Sequence, residues 1–500
     1  MGKSIIIIGG GLTGLSAGCY GRMNGYKTTV FEMHSIPGGV CTAWKRKGYS
    51  IDGAVNWVMG TNPSSSYYRF WQELGAAPNW KIYNHDLLMT VENREGKALN
   101  LYCNADRLEK YLLEIAPEDS SEIKKLTSAI RRSSTFNMFV DKPAELYSVL
   151  DGIKALKALP LLRMIKKWSK ISIGDFAGRL KNSFLREILL KGFQPDWPMT
   201  MLVMLLGFQH AESAGYITGG ALALTGPIEK RYLDLGGDVQ YNSRVEKILV
   251  ENERAVGVRL ADGSEHRADW VISAADGRTT IFGMLEGKYV DSGIAERYEN
   301  PKLFEPLVYV SLGITRQYND LLPSISGLIY PLDKPIIING KEEKQMFVRS
   351  YRYDPTMAPE GKDVLIVQFE TDYDYWRELY SDPKKYKAEK KRIAEDVISG
   401  LEQRFPGIPK QIEMIDVATP VTWERYTGNW RGSYEGWQFD MESFSSRMKK
   451  TLPGLQNFYM AGQWVNPGGG IPTAVMSGSH TIQMICRKDK KKFAADVPKG

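Results

Sequence analysis

Cysteine is scarce in this sequence of 500 residues, and its four copies are far apart. Cys19, Cys41, Cys103 and Cys486 form no Cys-x-x-Cys pair, which argues against a zinc site, an iron–sulfur site and a disulfide framework. The five histidines are equally scattered, so we expect no metal ion. Separated free thiols are typical of a reducing compartment, and we expect a cytoplasmic protein.

Long hydrophobic runs and concentrated charge are also missing. No stretch reaches the roughly 18 apolar residues that span a bilayer, and the run 199–208 is short enough to be a buried helix. The N-terminal apolar run has only Lys3 before it, and its glycines fall at the positions of a nucleotide-binding turn, so we do not expect it to be a signal peptide. The net charge of +7 is mild, and no basic cluster indicates nucleic-acid binding. This charge is compatible with an anionic membrane as a partner.

Glycine is abundant at the beginning of the chain, where it forms a motif. An isoleucine run, 5–8, reads as a strand and leads into Gly9-Gly10-Gly11-Leu12-Thr13-Gly14 and then a helical stretch. In this pattern Gly9 permits the tight turn, Gly11 lets a pyrophosphate approach the backbone, and Gly14 lets helix and strand pack closely. Glu32, eighteen residues after Gly14 at the end of a second strand, is placed to accept hydrogen bonds from a ribose. The segment predicts a dinucleotide site.

The remaining chain divides into stretches of different texture. Helical patterns dominate 105–215, with examples at 105–115, 119–132, 160–171 and 197–208. From residue 227 a helix, 227–235, precedes short strands at 238–241, 245–251, 255–260, 265–267 and 270–274. Residues 290–420 mix aromatic-rich strands with one charged helix, 382–404. The C-terminal part returns to strand, glycine loop and helix at 457–461, 462–470 and 472–486.

Two further glycine blocks extend the first motif. Met33 is followed by a loop that ends in Gly38-Gly39, a second approach to phosphate or ribose that NAD-only sites generally do not need. Near the C-terminus, Gly468-Gly469-Gly470-Ile471-Pro472 opens a helix whose positive N-terminal end suits an anion. With the block 226–276, these segments make the chain resemble the FAD-dependent phytoene desaturases, carotenoid isomerases and retinol saturases, within the amine-oxidase-like flavoproteins.

The resemblance implies an α/β fold with a Rossmann-like FAD-binding domain of the three-layer GR2 type and an inserted α+β substrate domain. We expect the FAD-binding domain to comprise 1–80, 216–290 and 420–500. The substrate-binding domain would then comprise 81–215 and 291–419. FAD would be bound extended and noncovalently by Gly9, Gly11, Leu12, Thr13, Gly14, Glu32, Met33, Gly38, Gly39, Val245, Gly462, Gln463, Gly470, Ile471 and Thr473.

Two features bear on flavin binding and on catalysis: one departure from the family pattern, and the lack of an evident acid or base. The family often has Gly-Asp where this chain has Gly462-Gln463, and the glutamine can donate as well as accept hydrogen bonds. No nucleophile elbow or paired histidine is present, so hydride chemistry at the flavin itself is expected. Trp57 and Trp464 are candidates beside the reacting carbon. The tryptophans expected near the site or its tunnel are Trp57, Trp197, Trp423, Trp430, Trp437 and Trp464, and the same residues suit an ordinary core.

The segment 161–171 is the best membrane candidate. Leu161, Met164, Ile165 and Trp168 fall on one helical face, and Arg163, Lys166, Lys167 and Lys170 fall on another. A basic amphipathic helix of this kind can lie on an anionic inner membrane surface. A surface helix packed on its own core has the same pattern, and both readings stay open.

These observations favour a FAD-dependent oxidoreductase acting on a long apolar polyene or isoprenoid. Desaturation, saturation and cis–trans isomerisation are all compatible with these residues. The sequence indicates neither the electron acceptor nor the oligomeric state. A flavin amine or amino-acid oxidase is the first alternative, although no polar anchor for an amine is evident. A prenyl-lipid carrier that keeps the fold without flavin is the second, and the intact glycine blocks argue against it.

Overall fold

The computed structural model describes residues 2–136, 140–156, 158–438, 448–466 and 468–498. Its strands are β1 (Ser4–Ile8), β2 (Lys27–Phe31), β3 (Ala43–Arg46), β4 (Tyr49–Asp52), β5 (Ile82–Tyr83), β6 (Leu87–Glu92), β7 (Ala98–Tyr102), β8 (Tyr216–Ile217), β9 (Asp238–Gln240), β10 (Val245–Glu251), β11 (Arg254–Leu260), β12 (Glu265–Arg267), β13 (Trp270–Ser273), β14 (Leu307–Ile314), β15 (Leu328–Ile338), β16 (Lys341–Ser350), β17 (Asp363–Glu370), β18 (Ile412–Ala418) and β19 (Phe458–Met460).

The helices occupy the stretches between these strands. They are α1 (Leu12–Met23), α2 (Tyr68–Glu73), α3 (Ala105–Ile115), α4 (Ser120–Ser133), α5 (Val149–Leu156), α6 (Leu159–Trp168), α7 (Ile173–Arg179), α8 (Ser183–Gly192), α9 (Met199–His210), α10 (Gly220–Asp234), α11 (Ser292–Glu299), α12 (Tyr373–Tyr380), α13 (Pro383–Arg404), α14 (Pro420–Thr427) and α15 (Ile471–Lys488). A π-helical segment, Thr279–Met284, follows β13.

A five-stranded parallel sheet forms the centre of the nucleotide-binding part. Its order is β19-β13-β1-β2-β9, and it draws its strands from three separated stretches of the chain. Ile5 and Ile7 of β1 join the core beneath α1, α10 and α15, whereas Ile6 and Ile8 face a three-stranded sheet, β10-β11-β12. Helices, parallel sheet and antiparallel sheet therefore form three layers, which confirms the predicted α/β class.

A seven-stranded sheet, β18-β14-β17-β16-β15-β6-β7, forms the second large layer. It is antiparallel except where β15 pairs with β6 in parallel. Along β14, Val308, Val310 and Leu312 pack with α12 and α13, while Tyr309 between them joins the core that contains β1 and α1. The period-2 alternation of a strand thus gives this sheet one face toward its own helices and one toward the parallel sheet. The exact domain limits given above remain a prediction.

The N-terminus of α10 differs from the sequence prediction. The predicted helix 227–235 begins at Gly220 instead, and Pro227 lies inside it. The glycine pair Gly219-Gly220, both with positive φ, turns the chain into the helix, and the Asp52 carboxylate accepts a hydrogen bond from the Ala221 amide at 2.7 Å. This distant cap is absent from the local sequence pattern, which favoured a start at the proline.

Of the two readings left open for the segment 161–171, the structure favours a surface helix that packs on its own core. The helix α6 covers Leu159–Trp168, and Met164 and Trp168 are buried in a core formed with α4 and α9. Leu161 and Ile165 pack against the same core. The apolar face of 161–171 therefore packs on the protein itself, and Trp168 is not an interfacial residue. In the described ranges no helix is both long and apolar enough to cross a membrane.

Candidate active site

A cavity of about 670 Å³ opens at the carboxyl ends of β1, β13 and β19. Its other walls include the face of β14, β16 and β17 that is turned toward the parallel sheet. The predicted contacts that line it are Gly9, Gly11, Leu12, Thr13, Glu32, Met33, Gly38, Gly39, Val245, Gly462, Gln463, Gly470, Ile471 and Thr473, with Trp57 and Trp464. The carboxyl edge of a parallel sheet is where open α/β folds bind their ligands.

The first glycine turn has the backbone geometry that its sequence predicts. Gly9 has a φ of 97°, and its amide donates to the Phe31 carbonyl at 2.8 Å. A Cβ on Gly14 would overlap the Gly9 carbonyl oxygen, so this glycine packs α1 onto the turn. It does not line the cavity, which corrects the prediction that it contacts FAD. A Cβ on Gly11 would meet nothing closer than the Gly38 carbonyl oxygen at 3.7 Å. Gly11 therefore leaves room for a ligand against the backbone.

Two helix N-termini point at the cavity with uncapped amides. Gly11 precedes α1 and Gly470 precedes α15, and neither N-cap residue makes a side-chain hydrogen bond. Pro472 stands in the first turn of α15, where its missing N–H costs nothing. The Gly462 amide donates to the Ser477 hydroxyl at 2.8 Å and so ties the end of β19 to α15. Free amides and positive dipole ends at both places suit anionic groups.

Glu32 is buried between the turn and the cavity, with 6% of its surface exposed. One carboxylate oxygen accepts from the Gly10 amide at 2.6 Å, and the other accepts from the His34 amide at 2.7 Å. Burial raises the pKa of Glu32, while these two amides act in the opposite direction. Each oxygen has a second lone pair, so the carboxylate keeps acceptor capacity for ribose hydroxyls.

Aromatic side chains form the wall beyond the glycines. Trp57, Trp423 and Trp464 line the cavity. The rings of Trp430 and Trp437 lie 6.4 and 5.5 Å from that of Trp464 and support it from behind.

Trp197 contradicts the expectation that it lies near the site. It is 38% exposed, and its carbonyl accepts from the Ile173 amide at the start of α7. It does not line the cavity. Tryptophan content alone does not reveal which layer of the fold a residue joins.

Three polar side chains of the seven-stranded sheet enter the cavity and were missed by sequence reasoning. Tyr309 and Gln368 are partners across β14 and β17, and Arg349 lies on the neighbouring β16. Arg349 is 5% exposed. Its position directly after the apolar residues 346–348 of a strand was the available signal, because an arginine is rarely buried unless it is paired.

Two carboxyl groups also line the cavity. Asp276 is buried and accepts from the Thr279 amide at 2.7 Å and the Trp430 amide at 3.0 Å, and burial raises its pKa to about 6. Glu435 stands beside the glycine loop, where burial raises its pKa to about 7.

The cysteine of the second glycine loop is a free thiol, as expected. Cys41 is 5% exposed and lines the cavity, and burial together with Asp52 holds its pKa well above the usual range. A neutral thiol is a poor nucleophile. Among the described residues, no group of three or more His, Cys, Asp or Glu side chains is arranged to hold a metal ion.

The residues present fit a flavin adenine dinucleotide. The glycine-lined floor between Gly11, Gly38 and Gly39 admits a pyrophosphate, and Glu32 lies where ribose hydroxyls need an acceptor. The N-terminus of α15 carries partial positive charge, which would stabilise negative charge at the N1/C2=O edge of a flavin. The cavity volume is within the range of about 300–1,000 Å³ typical of small-molecule and cofactor sites.

Comparisons with known proteins agree with this arrangement. The family model described as flavin containing amine oxidoreductase matches residues 12–483. A phytoene desaturase (neurosporene-forming) of Cereibacter sphaeroides is 24% identical over 99% of this chain and 95% of its own. The chloroplastic prolycopene isomerase of Arabidopsis thaliana is 23% identical over 98% of this chain and 84% of its own. A solved putrescine oxidase structure superposes with a TM-score of 0.60 at 12% identity, covering 97% of this chain and 99% of the other.

Proposed function

The chain belongs to the flavin-containing amine oxidoreductase family, and on that premise we propose that it acts on a long unsaturated isoprenoid held beside FAD. The cofactor is FAD, and the protein is an oxidoreductase. One observation supports the proposed substrate class. The glycine-lined part of the cavity, here called the cradle, is continuous with the part lined by Trp57, Trp423 and Trp464, here called the chamber. The full-length likeness to carotenoid desaturases and isomerases supports the same reading.

The cradle residues hold the cofactor in our proposal. Gly9, Gly11 and Glu32 bind its ADP half, Gly38 and Gly39 flank the pyrophosphate, and the backbone at Val245 covers the adenine. A bound flavin supplies a carrier for hydride, so the protein needs no nucleophile of its own. Gln463 and the amides before α15 line the opposite part of the cavity and orient the ring system.

The aromatic wall positions the substrate and excludes water. Trp57 and Trp464 are our candidates for contact with the reacting carbon, because both line the cavity and neither carries a group that would react with a polyene. Flat rings bury a large apolar area with little loss of side-chain freedom, which suits a conjugated chain. Desaturation, saturation and cis–trans isomerisation all require this placement of a carbon beside the flavin.

Flavin content and bound lipid test the proposal directly. The purified protein should be yellow, with a flavin absorption spectrum, and organic extraction should release isoprenoid or polyene lipids that mass spectrometry identifies. A colourless protein that stays colourless after addition of FAD would favour the lipid-carrier alternative. Rapid bleaching by an amine, with no response to polyenes, would favour an amine oxidase.

We also propose a cytoplasmic protein that contacts the inner membrane surface, through the basic residues first expected but through different apolar residues. In the segment 147–162, Val149 and Leu150 are 83% and 70% exposed, and Leu159 and Leu162 are exposed as well. The exposed Arg163, Lys166 and Lys167 follow at once along α6. Apolar side chains next to basic ones suit an anionic bilayer, from which an apolar substrate would be taken.

A further inference from the structure

Arg349 is a buried charge that forms no ion pair with a carboxylate of the described residues. Its Nη2 donates to the Tyr309 hydroxyl at 3.3 Å and to the Gln368 side-chain oxygen at 3.4 Å. Both acceptors are neutral, and both distances exceed the roughly 2.7–2.9 Å of charge-assisted hydrogen bonds. The buried Nε has no hydrogen-bond partner among the residues that the structure describes. The protein therefore leaves part of the guanidinium without a hydrogen bond, although Cζ lies 5.6 Å from the centre of the Tyr351 ring.

The carboxylate of Asp52 does not take this role. It interacts electrostatically with Arg349, but the structure gives no ion pair between them. Its two oxygens accept hydrogen bonds from the amides of Ala54, Val55 and Ala221 at 2.7–2.8 Å, which commits it to the turn after β4 and the start of α10. A buried charge without a close counter-ion is unfavourable. A ligand that supplies an anion would remove this cost.

The location of Arg349 indicates what kind of ligand would contact it. It lines the same cavity as the proposed flavin and polyene contacts, on the face of the seven-stranded sheet. Asn56 and Gln368 line the cavity with it and add polar groups to an otherwise aromatic wall. A planar guanidinium matches a carboxylate bidentately, and the Gln368 amide nitrogen is a further donor.

We propose that Arg349 binds a carboxylate on the substrate, so that the substrate is a polyene with an acidic end rather than a pure hydrocarbon. This inference rests on the proposed function for the polyene part. A hydrocarbon would leave the guanidinium unpaired when the chamber is filled and dry. Arg349 thereby fixes which end of the chain lies near the sheet and which carbon lies at the flavin.

Matched ligands of one shape test the charge. All-trans-retinoic acid and its methyl ester are titrated into the holoprotein at pH 8, with the flavin absorption spectrum as the signal. We expect the acid to bind roughly tenfold or more tightly than the ester, because a hydrogen bond to a charged group is worth that much in affinity. Arg349→Met should abolish the preference, and Arg349→Lys should keep part of it. The control is Arg352→Met, because Arg352 does not line the cavity and donates to the Tyr318 carbonyl.

Each outcome decides one question. Equal affinity of acid and ester in the wild type, or a preference that survives Arg349→Met, overturns the inference. Loss of FAD from Arg349→Met and not from Arg352→Met also overturns it, since Arg349 would then hold the cofactor. If polyene hydrocarbons react while acid and ester bind alike, the proposed function stands and the inference falls. If the acid binds through Arg349 but no polyene reacts, the anion site stands and the proposed function falls.

Discussion

At the scale of single residues, a few buried polar groups control how the cavity binds its ligands. Glu32 links two backbone amides of neighbouring loops and keeps acceptor capacity toward the cavity. Burial raises the pKa values of Glu435 and Asp276, which line the cavity. Arg349 remains charged there because a guanidinium does not lose its proton in proteins. We therefore expect the site to be selective for the charge of its ligand.

Glu32→Gln should weaken FAD binding. The amide nitrogen of glutamine would face a backbone N–H at Gly10 or His34, and the negative charge toward the ribose would be lost. A hydrogen bond to a charged group contributes about 1.5–3 kcal/mol, so the Kd for FAD should rise at least tenfold. Fluorescence titration of the apoprotein with FAD measures it, with exposed Glu296→Gln as the control. An unchanged Kd in Glu32→Gln would contradict the assigned contact.

Glu435→Gln should change how stability depends on pH. The folded-state pKa is raised from 4.5 to about 7. Between these values the folded carboxyl holds a proton that the unfolded chain has released, so the free energy of unfolding falls as the pH rises through this window. Glutamine does not titrate, and the variant's Tm relative to the wild type should therefore be higher at pH 8 than at pH 5. A Tm difference that is the same at both pH values would show that Glu435 is not buried as described.

At the scale of elements, close backbone packing positions the cofactor cradle. The helices α1 and α15 pack against each other, and both begin at the cavity. A side chain on Gly14 would separate α1 from the turn that precedes it. Local sequence patterns also predicted the limits of several other elements, since α3, β10 and β12 begin and end at the predicted residues.

Gly14→Ala should destabilise the protein. The added methyl group would overlap the Gly9 carbonyl oxygen, which is backbone and has little freedom to move. Overpacking typically costs about 1–3 kcal/mol, and we expect the upper part of that range together with loss of FAD. Thermal unfolding with and without FAD measures both effects. Gly178→Ala on α7 is the control, because a Cβ there meets no atom within 4 Å. Equal Tm values for the two variants would refute the packing role of Gly14.

Leu159→Glu combined with Leu162→Glu should reduce membrane binding. Both leucines are exposed on α6 next to basic residues, and the glutamates would place negative charge where the bilayer is proposed to lie. Cosedimentation with vesicles containing phosphatidylglycerol should show at least tenfold weaker binding than the wild type. Leu233→Glu changes a similarly exposed leucine on α10 and should bind normally. The proposal fails if the wild type stays in solution or the double variant sediments with it.

At the scale of the whole molecule, the cavity lies between the parallel sheet and the seven-stranded sheet, and each sheet is built from separated stretches of the chain. The geometry of the first glycine turn was predictable from the sequence because it depends on residues within a few positions of one another, and the α/β class followed from the family resemblance. Arg349 and the cap at Asp52 were not, since each acquires its neighbours from strands or helices far along the chain. The packing side of 161–171 was equally hidden, because an amphipathic pattern is the same for a core and for a membrane.

The central claim is that a polyene reacts beside the flavin, and one anaerobic measurement tests it most directly. Holoprotein with oxidised flavin, and separately with reduced flavin, is mixed with phytoene, with all-trans-retinoic acid or with putrescine. The flavin spectrum is recorded by stopped flow, and the products are separated by chromatography. We predict that at least one polyene is desaturated, saturated or isomerised and that putrescine leaves the flavin unchanged. Rapid reduction of the flavin by putrescine, with both polyenes recovered intact from both flavin states, would contradict the account.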